Sequence, residues 1–336
     1  MPVGTASASA APRRTLGLDS AAALVVGEVI GVGIFLTPAE MTKALGSPFW
    51  VIMVWLVVGA TVFCGALCYG ELAARFPEAG GGYLYLREAW GPGVAFLYGW
   101  KSLLVMDPGL TAALAAGLGR YAAALEPMGE AGQKGVAMAA ILILALISAL
   151  GMRIAGSMVR LLAGLKLLLL VAIIAWGFAS DRGSWSNFQP WMEPRAGSAP
   201  LAAGLAGGLL SAFFSFGGFW DVAKIGGEVR DPVRTLPRAL ALGVGTATAV
   251  YILTSAAFIY LVPIEAVSSG SAFAAQAGAA LFGADGGRVF AGIVLIAIAG
   301  SLAAVLMTAP RVYFAMARDG LFPASVGRLH PRFGTP

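Results

Sequence analysis

An apolar stretch near the N-terminus is interrupted by glycines and carries a carboxylate. It reads VVGEVIGVGIFLTPAEM, Val25–Met41, with Gly31 and Gly33 near its centre and Glu28 one turn earlier. A helix inside lipid must satisfy its own backbone hydrogen bonds, and glycines followed by a proline make that difficult. The pattern therefore predicts a membrane helix that breaks near its middle.

A second stretch repeats this arrangement in the other half of the chain. It reads GGLLSAFFSFGGFWDVAK, with Gly217 and Gly218 at its centre and Asp221 one turn later. Each stretch starts a block of apolar segments, near residues 17 and 201. Paired interrupted segments at matching places in two halves are typical of a transporter's substrate site.

A broken helix offers a ligand two kinds of backbone group. One half presents free amide N–H groups and the other presents free carbonyl oxygens, and a zwitterion can use both. The alternative is that the glycines only allow helices to pack closely. Because the two breaks are in register and each has an acidic neighbour, binding is the favoured interpretation.

Other kinds of chemistry find little support in the sequence. Cys64 and Cys68 lie within one apolar run, and the single histidine, His330, lies in a polar tail, so we expect no metal, no cofactor and no enzyme activity. The net charge of +5 comes from loop cations without an aromatic-interleaved patch, so no nucleic-acid partner is expected.

The composition predicts an all-α polytopic membrane protein. Hydrophobic residues make up 59% of the 336 residues and charged residues 12%, with a mean hydropathy of +0.83. Soluble domains carry about 25% charged residues. Eight spans are predicted, at 17–42, 48–74, 93–121, 135–151, 157–179, 201–224, 239–262 and 288–316. The aromatic segment YLYLREAW is expected to form an interfacial helix.

Positive charges in the loops predict the orientation. Fourteen lysines and arginines fall on the side of both chain ends, against six on the other side, and Lys101 and Lys166 fall within spans. The positive-inside rule then places both termini in the cytoplasm of a cell whose plasma membrane holds the protein. The six on the other side are Lys43, Arg120, Lys134, Arg182, Arg195 and Arg288.

Four collinear segments resemble the amino acid–polyamine–organocation (APC) superfamily of transporters. GEVIGVGIFLTPAEM resembles its first-helix signature, and GALCYGELAARFPEAGGGYLYLREAWGPGVAFLYGW its second helix and following loop. FFSFGGFWDVAKIGGEVRDPVRTLPRAL resembles the sixth helix, and APRVYFAMARDGLFP the end of the eighth. The likeness covers residues 16–336 and is greatest to the L-type amino acid transporter branch.

The resemblance implies a LeuT-like inverted-repeat transporter fold with helices 1 and 6 broken. Two five-helix repeats and two further helices would make about twelve in all, so a chain with eight spans is predicted to be truncated. The expected division is a disordered cytoplasmic arm at 1–15, a first repeat at 16–180, a partial second repeat at 200–317 and a cytoplasmic tail or linker at 318–336.

The resemblance also assigns the substrate site. The substrate carboxylate would meet the amides of Val32, Gly33 and Ile34, and its amine would meet the carbonyl oxygens of Val29, Phe214, Ser215 and Gly217. Two aromatic side chains of the sixth helix, Phe214 and Phe219, would cover it. The full predicted set is Val29, Gly31, Val32, Gly33, Ile34, Phe214, Ser215, Phe216, Gly217, Gly218 and Phe219.

Two charged residues inside spans are predicted to couple transport to an ion. Family members often place a lysine where sodium-coupled relatives bind their ion, which gives Lys166 this role near the carbonyls of Gly27 and Ile30; the alternative is snorkelling to the surface. Glu28 would pair with Lys166, carry a proton or face a solvated vestibule. Asp107 is expected to cap the helix that follows Pro108.

The predicted function is secondary active transport of neutral L-amino acids by alternating access, as a proton-coupled symporter or as an antiporter. The expected partners are the amino acid, the lipid bilayer and protons. Two alternatives stay open. The acidic residues at the breaks also suit a carrier of polyamines or cationic amino acids, and the missing helices suit a truncated product or subunit that does not transport.

Overall fold

The computed structural model describes residues 14–267 and 270–335, and most of the predicted N-terminal arm lies outside them. The first span is broken, as predicted. Helix α1, Leu18–Val29, and helix α2, Gly33–Leu45, meet at an angle of 44° across three residues. Gly31 and Gly33 flank Val32 there, and Pro38 lies inside α2.

The remaining helices continue the all-α architecture, with α5 and α6 joined by a π-helical turn, Ser102–Met106. In the part of the chain that the structure describes, seven segments are long and apolar enough to cross a membrane, or eight when the bent pair is counted as one. The helices are α3 Pro48–Arg75, α4 Gly82–Trp90, α5 Pro92–Lys101, α6 Asp107–Leu125, α7 Glu130–Ala149, α8 Met152–Ala179, α9 Leu201–Ser215, α10 Pro232–Leu261, α11 Gly270–Phe282, α12 Gly286–Thr308 and α13 Pro310–Arg318.

The sixth span breaks at the predicted glycine pair. Helix α9 ends at Ser215, and Gly218 has a left-handed backbone with φ of +95°. The chain then runs on as a 3-10 helix, Phe219–Lys224. Gly218 faces α1 so closely that an added Cβ would lie 3.0 Å from Cβ of Glu28, so the break requires glycine on both conformational and steric grounds.

The predicted spans differ from the helices mainly at their polar ends. Helix α10 begins at Pro232 rather than 239, because its first turns carry Arg234 and Arg238 and extend beyond the apolar run that hydropathy detects. Helix α4 confirms the predicted short helix between the second and third spans. Helix α11 was not predicted, since its small residues give it neither the length nor the polarity pattern of a span.

The core lies around α1, which packs between α10 and α12, and these helices pack in turn against α3, α6 and α8. Helix α7 is peripheral and exposes most of its apolar surface. The two breaks therefore lie at the centre of the bundle, where irregular backbone is protected from lipid.

Candidate functional site

A cavity of about 680 Å³ lies where the two breaks meet. Helices α6 and α12 supply its other walls, through Leu114 and Ser301 among others. It extends along α2 as far as Glu40. Eight of the predicted substrate residues line it: Val29, Gly31, Val32, Gly33, Phe214, Ser215, Gly217 and Gly218.

The structure does not bring the other three predicted residues to the cavity wall. Ile34 is fully buried. Phe216 packs against Trp55 and Tyr251, with ring centroids 6.1 and 5.0 Å away. Phe219 packs against Tyr69 at 5.8 Å. Of the two aromatic residues predicted to cover a ligand, only Phe214 is in position, and it is 75% exposed.

The first break presents unpaired amide groups to the cavity. In the described backbone, Ile30 N–H donates to Val26 O and Phe35 N–H donates to Val32 O. The N–H groups of Val32, Gly33 and Ile34 have no backbone acceptor among the described residues, and of these three residues Val32 and Gly33 line the cavity. They lie at the N-terminus of α2, where the helix dipole favours an anion.

Tyr251 on α10 joins the two breaks, and the sequence reasoning missed it. Its buried hydroxyl oxygen lies 2.6 Å from Val29 O and 2.7 Å from Ser215 O, so its one proton is shared between both carbonyls. These carbonyls had been assigned to the substrate amine. The available signal was a tyrosine in an apolar span, since a buried hydroxyl there needs a partner.

Lys166 is fully buried, so the snorkelling alternative was wrong. Its Nζ donates to Gly27 O at 2.8 Å, Ile30 O at 2.7 Å and Ala297 O at 3.1 Å. Gly27 O belongs to the last turn of α1 and Ile30 O to the residue that follows it, where carbonyls have no partner within the helix. The ammonium therefore satisfies the broken end of α1 and ties it to α12, in the position that the resemblance implied.

Glu28 is not paired with Lys166 within ion-pair distance. Its Oε1 accepts a hydrogen bond from Thr308 Oγ1 at 3.1 Å, while its Oε2 is buried and accepts no hydrogen bond from the residues that the structure describes. Glu28 and Lys166 therefore do not form the predicted ion pair. Glu28 interacts electrostatically with Asp221 and Lys224.

Asp107 does not cap a helix, contrary to the sequence prediction. The chain passes from the π-helical turn into α6 without a side-chain cap. The Asp107 carboxylate instead accepts a 2.6 Å hydrogen bond from Tyr313 Oη and lies 3.7 Å from Lys224 Nζ. Lys224 also pairs with Asp221 at 3.0 Å. Buried charges thus join the third and sixth spans, and the Tyr313 hydroxyl joins the eighth span to them.

Polar contacts close the bundle at the end where α1 begins. Arg311 and Glu228 form a buried ion pair at 3.2 Å, and Arg87 pairs with Asp319 at 2.7 Å. Burial and the Asp319 carboxylate both raise the pKa of Tyr83, so its hydroxyl stays protonated and donates to Asp319. The cavity reaches outward along α2, at the opposite end.

The backbone of the N-terminal segment completes this closure. Thr15 N–H and Leu16 N–H both donate to Glu228 O, and Arg230 N–H donates to Leu16 O. Both ion pairs join segments remote in the chain, Arg311 with Glu228 and Arg87 with Asp319, so local sequence patterns do not indicate them.

Comparison with known proteins gives a consistent family signal. A sequence model described as amino acid permease matches residues 16–336. The serine/threonine exchanger SteT of Bacillus subtilis (strain 168) is 30% identical over 96% of the chain and 73% of its own length. The large neutral amino acids transporter small subunit 2 of Homo sapiens is 30% identical over 99% of the chain. The Asc-type amino acid transporter 1 of Mus musculus is 29% identical over 98%.

The chain spans 63% of the length of each of these two mammalian relatives. Among solved structures, a nucleobase-cation-symport-1 family transporter, in a closed conformation with bromovinylhydantoin bound, has a TM-score of 0.64. It is 17% identical, and the match covers 96% of the chain and 72% of that structure. At this identity the match establishes a shared fold only.

Proposed function

The chain belongs to the amino acid permease family, and from that premise we propose that it carries neutral L-amino acids across the plasma membrane by alternating access. One observation carries the proposal: a cavity lies where two broken helices present amide donors and carbonyl acceptors to the same space. An α-amino acid is a zwitterion whose two charged groups match these two kinds of backbone group.

In the proposed complex, the substrate carboxylate binds the amides of Val32, Gly33 and Ile34. The ammonium binds the carbonyl oxygen of Gly217 and the remaining lone pair of Ser215 O. Phe214 covers the side chain of the substrate. Because the bundle is closed at the N-terminal end of α1, the described conformation is the one open to the outside.

The test is a pair of glycine variants on the same span. Gly217→Leu places a side chain in the cavity wall, whereas Gly207→Leu points into open space on the outer surface of α9. We expect Gly217→Leu to weaken binding of L-leucine or L-serine by about tenfold or more, and Gly207→Leu to leave it unchanged. Calorimetry on the purified chain in lipid nanodiscs measures both. Equal affinities in the two variants would refute this site.

We further propose that Lys166 and Glu28 couple transport to protons or to exchange. The Lys166 ammonium stabilises the C-terminal end of α1 through Gly27 O and Ile30 O, so loss of its charge loosens the break. Lys166→Met keeps an apolar side chain of similar length. We expect this variant to lose accumulation driven by a pH gradient in proteoliposomes, and unchanged pH dependence would remove Lys166 from the coupling mechanism.

A further inference from the structure

Another cavity lies at the closed end of the bundle, and it shares no lining residue with the cavity at the breaks. Its volume is about 460 Å³, and its walls come from α4, α13, the loop 77–79 and the N-terminal segment. Three arginines, Arg14, Arg87 and Arg318, line it together with two acids, Glu78 and Asp319. The cavity therefore has one positive charge in excess.

Arg87 and Asp319 neutralise each other and form a fixed part of the wall. Arg87 Nη1 donates to both oxygens of the Asp319 carboxylate at 2.7 Å, and the Tyr83 hydroxyl donates to the same carboxylate at 2.8 Å. The Nη2 group of Arg87 donates to Glu88 at 2.8 Å. This arginine is thus engaged by two acids and is not the one that attracts a ligand.

Arg14 and Arg318 are the two arginines that lack an acidic partner. Neither forms an ion pair with a carboxylate in the part of the chain that the structure describes. Arg318 Cζ lies over the Phe314 ring, 5.7 Å from its centroid, which restricts the guanidinium. Arg14 adjoins Thr15, whose N–H donates to Glu228 O. Two positioned guanidinium groups at one cavity favour an anion.

The loop 77–79 adds backbone donors to this wall. Glu78 N–H and Ala79 N–H have no backbone acceptor among the described residues. The loop is held in place, because Gly80 N–H donates to Lys224 O at 2.9 Å and a Cβ on Gly226 would lie 2.7 Å from Glu78 O. Successive free amides in a turn are a common part of anion sites. The Glu78 side chain is exposed, where solvent and salt screen its charge.

We propose that this cavity binds a phosphate group, and that the head group of an anionic lipid on this side of the membrane supplies it. The free oxygens of a phosphate match the guanidinium groups and the loop amides. Basic pockets between membrane helices are typical sites for such head groups. Trp90, at the end of α4, is 74% exposed, which is typical of the depth at which lipid phosphates lie.

A bound phosphate joins parts of the closed end that the ion pairs leave separate. Arg14 belongs to the N-terminal segment and Arg318 to the last turn of α13. A ligand held by both stabilises the conformation that is closed at this end. Binding at this cavity is independent of the proposed amino-acid site, so failure of either proposal leaves the other standing.

Short-chain lipids test the proposal on the purified chain in detergent. Dioctanoyl phosphatidic acid should raise the melting temperature in scanning fluorimetry in a saturable manner, whereas dioctanoyl phosphatidylcholine should not. We expect Arg14→Gln combined with Arg318→Gln to weaken the apparent affinity for phosphatidic acid by about tenfold or more. The control combines Arg153→Gln with Arg234→Gln, two exposed arginines outside the cavity, and should leave that affinity unchanged.

Inorganic phosphate at equal concentration separates the two sources of the anion. We expect it to have no effect, and stabilisation equal to that by phosphatidic acid would overturn the lipid assignment in favour of a soluble phosphate. An affinity for phosphatidic acid that survives in the Arg14→Gln, Arg318→Gln variant would overturn the assignment to this cavity. If phosphatidic acid does not stabilise the unchanged protein, the whole proposal fails.

A single variant keeps the test valid if the double variant does not fold. Arg14→Gln alone changes an exposed side chain without an ion pair, so the fold should persist. We expect it to weaken the affinity for phosphatidic acid by about threefold or more. An unchanged affinity would exclude Arg14 and overturn the site as proposed.

Discussion

At the scale of single residues, Tyr251 is the group that holds the two breaks together. Its hydroxyl lies between Val29 O at the end of α1 and Ser215 O at the end of α9. Both carbonyls belong to last turns that lack partners within their own helices. One side chain on α10 therefore fixes the relative position of the donors and acceptors that a ligand would meet.

Removing this hydroxyl should cost stability. We expect Tyr251→Phe to lower the free energy of unfolding by about 1–2 kcal/mol, because Ser215 O loses its donor inside the membrane and Val29 O keeps only the hydrogen bond from Gly31 N–H. Tyr260→Phe is the control, since its hydroxyl makes only a long 3.5 Å contact with Ser180 O. Thermal unfolding in detergent compares the two variants. A loss no larger for Tyr251→Phe than for Tyr260→Phe would contradict this role.

The sequence indicates which buried charged residues need partners, but it does not indicate which partners they find. A lysine within an apolar span must find acceptors, which singles out Lys166 before any fold is known. Asp107 looked like a cap because Pro108 follows it, yet its partners Tyr313 and Lys224 come from spans remote in sequence. Contacts of this kind depend on packing, which local patterns do not encode.

At the scale of elements, Gly218 fixes the turn that separates α9 from the 3-10 helix. We expect Gly218→Ala to destabilise the chain by about 1–2 kcal/mol or more, because φ is +95° and the new Cβ would press on Glu28. Gly245→Ala on α10 is the control, with nothing within 4 Å of the added atom.

The two glycine variants are compared by scanning fluorimetry. A melting temperature for Gly218→Ala equal to that of Gly245→Ala would show that the turn adapts and that glycine is not required. Gly245→Ala should leave the melting temperature unchanged or slightly higher, because alanine is favoured over glycine inside a helix.

The breaks were predictable from the sequence, but the form of the segment after the second one was not. Glycine pairs in an apolar run mark where a helix stops. The 3-10 conformation of Phe219–Lys224 depends on tertiary contacts, including Gly80 N–H with Lys224 O and the buried Lys224 pairs. Helix α11 escaped prediction for a different reason, since hydropathy recognises length and that helix is short.

At the scale of the whole molecule, one end of the bundle is sealed and the other is open. At the sealed end, Arg311 of α13 pairs with Glu228 after the sixth span, and Arg87 of α4 pairs with Asp319. Backbone contacts of Leu16 add to this closure. The cavity extends along α2 at the open end. The excess of loop cations lies at the sealed end, which we propose to be cytoplasmic.

Labelling of single cysteines tests this orientation. In a background with Cys64 and Cys68 replaced by serine, Asp231→Cys at the sealed end and Glu193→Cys at the open end are both exposed. In intact cells, an impermeant maleimide added outside should label position 193 and not position 231. The reverse pattern would invert the orientation, and labelling of both positions would contradict the proposed topology.

The central claim, that the two breaks form an amino-acid site, is tested most directly by locating a bound ligand. L-Selenomethionine combines an α-amino acid head group with a selenium atom that anomalous diffraction can place in crystals of the chain. We predict selenium in the cavity within contact of Phe214, with the ligand carboxylate at the amides of Gly33 and Ile34. Density for the ligand elsewhere, or none at saturating concentration, would contradict the claim.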